Sequence, residues 1–181
     1  LRQMGQLYRK NGNWQQLGAT LTRALDVAVS DVDRKEILTE LGELLDSQMS
    51  QTDQAVTHFN RALEVDGLFI PAIENLERIY ASRGEKKQLV DILTRKVRAL
   101  EDPSEIAATK LRIGGLNEEM NDPQKAAQTF REVIELEPQN LQGLRGLARV
   151  YEILNQWPEL VKVPETQLDV GTTARERIDI L

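Results

Sequence analysis

The sequence predicts an all-α chain: a solenoid of antiparallel helix pairs, about five hairpins plus part of a sixth. Three observations carry this reading. Apolar residues recur at helical spacing almost end to end, as in Ala126, Phe130, Val133 and Ile134. Turn and capping residues punctuate them at short intervals. The chain also repeats itself: Tyr8, Tyr80 and Tyr151 recur at intervals of 72 and 71 residues, Gly42 and Gly114 at 72, and Phe59 and Phe130 at 71. Each interval holds two hairpins, so the larger unit is a pair of alternating hairpins. Low aromatic content, 4%, suits helix-on-helix packing better than a sheet.

The hairpins span approximately 1–31, 34–67, 70–102, 104–138 and 141–170, with a partial helix over 172–181, and read as one domain over 1–181. The first begins in a helix with Met4, Leu7 and Tyr8 facing inward. It turns at Asn11-Gly12-Asn13 and returns over 14–29 with Leu17, Leu21, Ala24, Leu25 and Ala28 on one face. Ser30 to Asp33 breaks the chain and caps the next helix. The second hairpin lines up Ile37, Leu38, Leu41, Leu44 and Leu45. Thr52 or Asp53 is expected to cap its return helix, which carries Ala55, Phe59, Ala62 and Leu63 and stops at Gly67. In the third, Pro71 fits the first turn of a helix; Ile73, Leu76, Ile79 and Tyr80 face inward, and Gly84 turns the chain into Leu89, Val90, Leu93 and Val97.

Asp102-Pro103-Ser104 opens the fourth hairpin. Asp122 caps its second helix, Pro123 fits that helix's first turn, and Glu137-Pro138 ends it, because proline cannot continue a helix and disfavours helical geometry in the residue before it. The fifth carries Leu144, Leu147, Val150, Tyr151 and Leu154, then Trp157, Leu160, Val161 and Leu168. Pro164 falls where a second helix should be in mid-course, so a kink or an early end is expected near 161–163. Arg177 to Leu181 echoes Arg34 to Leu38, and the chain is expected to be a piece of a longer array.

Composition narrows the function. Charged residues make up 29% of the chain and the net charge is −6. An acidic chain is a poor partner for nucleic acid, which is bound through lysine and arginine. Cysteine is absent, which removes thiolate nucleophiles, disulfides and cysteine metal sites. No apolar run approaches the roughly 20 residues needed to span a bilayer. The motifs of zinc proteases, phosphate-binding loops, dinucleotide folds and serine hydrolases are all missing. His58 is the single histidine and is expected to face solvent or a helix groove. Gly114-Gly115 lies mid-helix with no strand before it, so helix packing explains its first glycine better than phosphate binding. The sequence therefore assigns no catalytic residue, no metal ligand and no cofactor.

The pattern resembles the tetratricopeptide repeat family. The residues that carry the resemblance are Ile113, Gly114, Ala126, Phe130 and Pro138 in the fourth hairpin and Leu41, Gly42, Ala55, Phe59 and Ala62 in the second. Leu76 with Tyr80 and Leu147, Ala148 and Tyr151 carry it in the third and fifth. Two departures are Asn117, where the family favours tyrosine, and Glu77, where it favours a small residue; packing beside Glu77 is expected to be looser. The resemblance implies a right-handed superhelix whose concave groove, lined by the first helices, binds a protein or peptide. Carried residue by residue, it nominates Glu36, Thr39, Glu43 and Asp46; Glu74, Arg78, Ala81 and Ser82; Leu111, Gly115, Glu118 and Glu119; and Gln142, Arg145, Arg149 and Glu152. Among these, Glu43, Glu74, Arg78, Arg145, Arg149 and Glu152 are the candidate partner-binding residues. Arg78 and Arg149 stand at matching positions, where their forks could grip a carboxylate or could instead pair with neighbours such as Glu74 and Glu152. The alternative reading is an architectural or self-assembling spacer of a larger multidomain protein, joined end to end through Leu1, Met4, Leu7, Ile178 and Ile180.

Overall fold

The computed structural model describes residues 2–155; among them are nine α-helices and no strand. The helices are α1 (Arg2–Lys10), α2 (Trp14–Asp26), α3 (Asp31–Ser47), α4 (Thr52–Val65), α5 (Ile70–Arg83), α6 (Lys86–Ala99), α7 (Pro103–Glu119), α8 (Pro123–Leu136) and α9 (Leu141–Ile153). Successive helices pair as α1 with α2, α3 with α4, α5 with α6 and α7 with α8, and the short connections make the partners antiparallel. The chain divides into two compact units, residues 1–99 and residues 100–181. The second half of the fifth hairpin, Pro164 and the partial helix over 172–181 lie outside the described residues.

The turns share one device. A left-handed residue follows each first helix: Gly12, Ser50, Gly84, Asn121 and Asn155, with φ between 54° and 68°. Glycine adopts this geometry freely and asparagine tolerates it; Ser50 is the exception that composition does not announce. The helix starts follow the sequence closely. Ser30 Oγ accepts from the backbone N–H groups of Val32 and Asp33 at 3.1 and 3.5 Å. Asp102 accepts from Ser104 N at 3.3 Å, and Asp122 from Lys125 N at 3.2 Å.

Other expectations change. Neither Thr52 nor Asp53 caps α4, whose cap position is Gln51 with no side-chain bond. Thr52 lies inside the helix and donates its hydroxyl to Asp46 Oδ1 at 2.8 Å, while Asp53 receives Arg83 at 2.8 Å. At the other end of α4 the stop is built by Asp66 rather than Gly67. Asp66 holds the Leu68 N–H at 3.1 Å and the Lys35 ammonium at 2.6 Å, and Gly67 keeps an ordinary φ. Helix α2 ends at Asp26, not 29, leaving Val27 and Val29 exposed. Met4 and Leu7 are exposed as well. Of the three inward candidates on α1, only Tyr8 joins the cluster of Leu17, Leu21, Leu41 and Leu44.

In the second, third and fourth hairpins a large apolar residue sits at the centre of the second helix. Phe59, Leu93 and Phe130 are buried, and each contributes about 1.5–3 kcal/mol by leaving water. The two phenylalanines rest directly on glycine. A Cβ built on Gly42 would stand 2.5 Å from the Phe59 ring, and one on Gly114 would stand 2.5 Å from the Phe130 ring. Only a bare backbone admits the ring at that distance. The looseness expected beside Glu77 is absent. Leu93 takes the phenylalanine position, Leu76 and Leu93 are closed to solvent, and Glu77 turns its carboxylate to Lys96 Nζ at 2.9 Å.

Candidate functional site

Within each unit the first helices of adjacent hairpins lie side by side, α3 with α5 and α7 with α9. Their shared face carries the nominated residues. In the first unit these are Glu43 on α3 and Glu74 and Arg78 on α5; in the second, Arg145, Arg149 and Glu152 on α9.

The two arginines at matching positions are both engaged by the preceding first helix. Arg78 pairs with Asp46 of α3. Arg149 forks onto Glu118 of α7, Nε to Oε1 at 3.3 Å and Nη2 to Oε2 at 2.9 Å. The partners are therefore Asp46 and Glu118 of the preceding first helix, and Glu74 stands instead beside Lys96. A residue one helical turn away shares the arginine's own helix face, but the acid 31 or 32 positions earlier faces it across the gap between helices. The acids are shielded, at 12% and 18% side-chain exposure, while Arg78 and Arg149 remain 59% and 61% exposed. Arg9 of α1 reaches Glu40 of α3 in a similar way. Burial alone would raise the Asp46 carboxyl. Bonds from Arg78 and Thr52, and the charges of Arg78 and Arg83, outweigh it and leave Asp46 below the usual carboxylate range.

Glu43 accepts from Asn75 Nδ2 at 3.3 Å, and Glu74 lies 4.0 Å from Lys96 Nζ. Glu152 is exposed on the last turn of α9.

In the second unit the shared face opens into a cleft of about 270 Å³, lined by Leu111, Gly115, Glu118, Phe130, Gln142, Arg145 and Arg149. Six of these seven are first-helix positions nominated from sequence. The seventh, Phe130, is a second-helix residue whose ring is pinned between two helices. A Cβ on Gly146 of α9 would come within 2.6 Å of it, as one on Gly114 would at 2.5 Å. Gly115 is different: a Cβ there meets nothing within 4 Å, so this glycine is a notch rather than a contact. Arg145 has no carboxylate partner among the described residues. The sequence signal for the cleft was the second glycine of Gly114-Gly115, left over once packing had explained the first.

Of the two placements expected for His58, solvent or a helix groove, the structure agrees with the second, since the residue is half-buried. Its Nδ1 is buried without a hydrogen-bond partner, and burial, with the charge of Arg61 added, holds its pKa below the ordinary value. Among the described residues no group of His, Asp and Glu is arranged to hold a metal ion, and no helix is long and apolar enough to cross a membrane.

Two family models, each described as tetratricopeptide repeat, match residues 1–35 and 72–107 and residues 107–140 respectively. No curated protein matches the sequence. Solved structures do resemble it. A MamA structure is 19% identical with a TM-score of 0.56, covering 98% of this chain and 94% of its own. A tetratricopeptide repeat protein from Parabacteroides merdae is 16% identical with a TM-score of 0.54, covering 89% of this chain and 61% of its own. YrrB, described as a TPR protein with an unusual peptide-binding site, is 16% identical with a TM-score of 0.50, covering 78% of this chain and 70% of its own. At such identities the likeness is one of fold.

Proposed function

The chain belongs to the tetratricopeptide repeat family, a family of protein-interaction scaffolds, and from that premise we propose that it is a non-catalytic adaptor that holds a peptide or protein partner on its first-helix face. The observation that carries this reading is the cleft in the second unit. Nominated groove residues from α7 and α9 converge there around an aromatic floor, combining an apolar surface with a few polar groups as binding sites do. The peptide-binding site named for YrrB supports the same use of a related fold. No nucleic-acid or membrane partner enters the reading. The second reading, an architectural spacer, draws on the ties of Arg78 to Asp46 and Arg149 to Glu118, which spend both arginines on the scaffold itself.

The test is a capture experiment from cell extract with the full chain beside an Arg78→Ala, Arg149→Ala double variant. Both side chains are largely exposed, so the variant keeps its fold at a cost of about 1 kcal/mol or less per pair. A protein retained by the native chain and lost by the variant supports the adaptor. An identical set of bound proteins shows that neither arginine holds the partner and moves the contact to other residues of the face, and an empty set favours the spacer.

A further inference from the structure

The cleft has a chemistry that its counterpart in the first unit lacks. The repeat places Thr39 where the second unit has Leu111, Glu43 where it has Gly115, Asp46 where it has Glu118, Glu74 where it has Arg145 and Arg78 where it has Arg149. The shielded acid and its arginine are thus preserved, while the other three matched positions are exchanged. In the first unit Glu43 fills the notch position with a side chain that accepts from Asn75. In the second the notch is open above Gly115. Phe130 closes its floor, and Leu111, itself packed on the core cluster that contains Phe130, forms a wall. At these five matched positions the sign of the charge is reversed as well. Glu43, Asp46, Glu74 and Arg78 sum to an excess of negative charge. Glu118, Arg145 and Arg149 leave one positive charge over, and the forked pair assigns that surplus to Arg145.

A volume of about 270 Å³ falls below the range of drug-sized pockets and suits one side chain rather than a folded segment. We infer that the cleft selects an acidic peptide: one apolar side chain enters the notch over Gly115, against Leu111 and Phe130, and a neighbouring carboxylate of the same peptide pairs with Arg145. The inference rests on the groove reading above and makes it specific. Arg149 is held by Glu118 and positions the rim; Arg145 makes the charged contact. The matching face of the first unit, with Glu43 and Glu74, repels such a peptide, so the two units do not present two copies of one site.

The experiment is selection of a random-peptide phage library on the full chain, followed by fluorescence-polarisation titration of the winning synthetic peptides. Expected winners place Asp or Glu beside Leu, Ile, Val or Met. Replacing that carboxylate by its amide weakens binding about tenfold or more, as loss of a charge-assisted contact does. Arg145→Gln weakens the acidic peptide by a similar factor and leaves the amide version unchanged, so the two losses do not add. Gly115→Glu, which writes the first unit's residue into the second, abolishes binding, while Glu43→Gln in the first unit leaves it unaltered. Circular dichroism of each variant establishes that it is folded. Peptides that bind this chain equally well after Arg145→Gln and Gly115→Glu overturn the inference and leave the groove reading standing. A library that yields no binder overturns both.

Discussion

The two phenylalanine hairpins, α3–α4 in the first unit and α7–α8 in the second, begin from the same arrangement and diverge at one neighbouring helix. Phe59 lies on Gly42, and Phe130 lies on Gly114 at an indistinguishable distance. From the next first helix, however, the first unit offers Asn75, bonded to Glu43 and to the Pro71 carbonyl, where the second offers Gly146, pressed on the ring. One hairpin has one glycine under its ring; the other holds its ring between two. Substitution on the outward side of an identical core pair has thus left one face filled and acidic and the other open with a spare cation. Conserving a packing contact across a repeat does not conserve the surface beside it.

The largest effect expected from this difference is at the doubly held ring. Gly114→Ala and Gly146→Ala each place a methyl within 2.5 and 2.6 Å of Phe130. Each should destabilise the chain by about 1–3 kcal/mol through overpacking, beyond what alanine's better helix propensity returns. Because both act on one ring, urea denaturation of the double variant should depart from additivity by roughly 0.5 kcal/mol or more. Gly42→Ala paired with Asn75→Ala should be additive. Additivity at Gly114 and Gly146 would mean that the ring is not shared.

A smaller effect of opposite sign is expected at Gly115. Its Cβ position is empty and its φ is helical, so Gly115→Ala should stabilise the chain by about 0.5–1 kcal/mol. Adjacent glycines thus predict opposite outcomes, and equal destabilisation at Gly114 and Gly115 would erase the distinction between contact and notch.

The smallest effect is expected at the tie between Arg78 and Asp46, and pH exposes it. Asp46 titrates below its ordinary value in the folded chain. Its pair with Arg78 is therefore fully stabilising above the unfolded carboxyl pKa, near 3.9, and is lost as pH falls through the lower folded value. With Arg78 largely exposed, the contribution is about 1 kcal/mol or less. As pH falls from 7 through the folded value, the native chain should lose more stability than Asp46→Asn, by up to that amount. Equal losses would show that the tie contributes nothing.

Much of this was legible in the sequence. Helix periodicity, the caps at Ser30 and Asp122, the opening of the fourth hairpin at Asp102, the turns at Gly12 and Gly84 and the stop at Glu137 are local matters, each decided within a few residues. The partnership of Gly42 with Phe59 and of Gly114 with Phe130 could be read from the family resemblance, since both members sit at fixed places in a hairpin. What escaped depends on contacts across hairpins. Asp46 and Glu118 belong to the helix before the one that carries Arg78 or Arg149, and no spacing rule within a helix points there. Nothing in the spacing of α9 sets Gly146 against the Phe130 ring. Thr52 and Asp53 resembled caps because their chemistry suits caps, yet Asp46 and Arg83 claim them instead. The open notch at Gly115 is the hardest to foresee, since empty space has no side chain to announce it.

A ring wedged between α7 and α9 also turns the cleft into a reporter of the fold. Phe130 is at once the floor of the cleft and part of the core, so an occupant that packs on it gains contacts only while the three helices remain together. Occupancy and global unfolding are then linked. A ligand at a hundred times its dissociation constant adds about 2.7 kcal/mol to the unfolding free energy, and an upward shift in melting temperature can be followed before any partner has been identified.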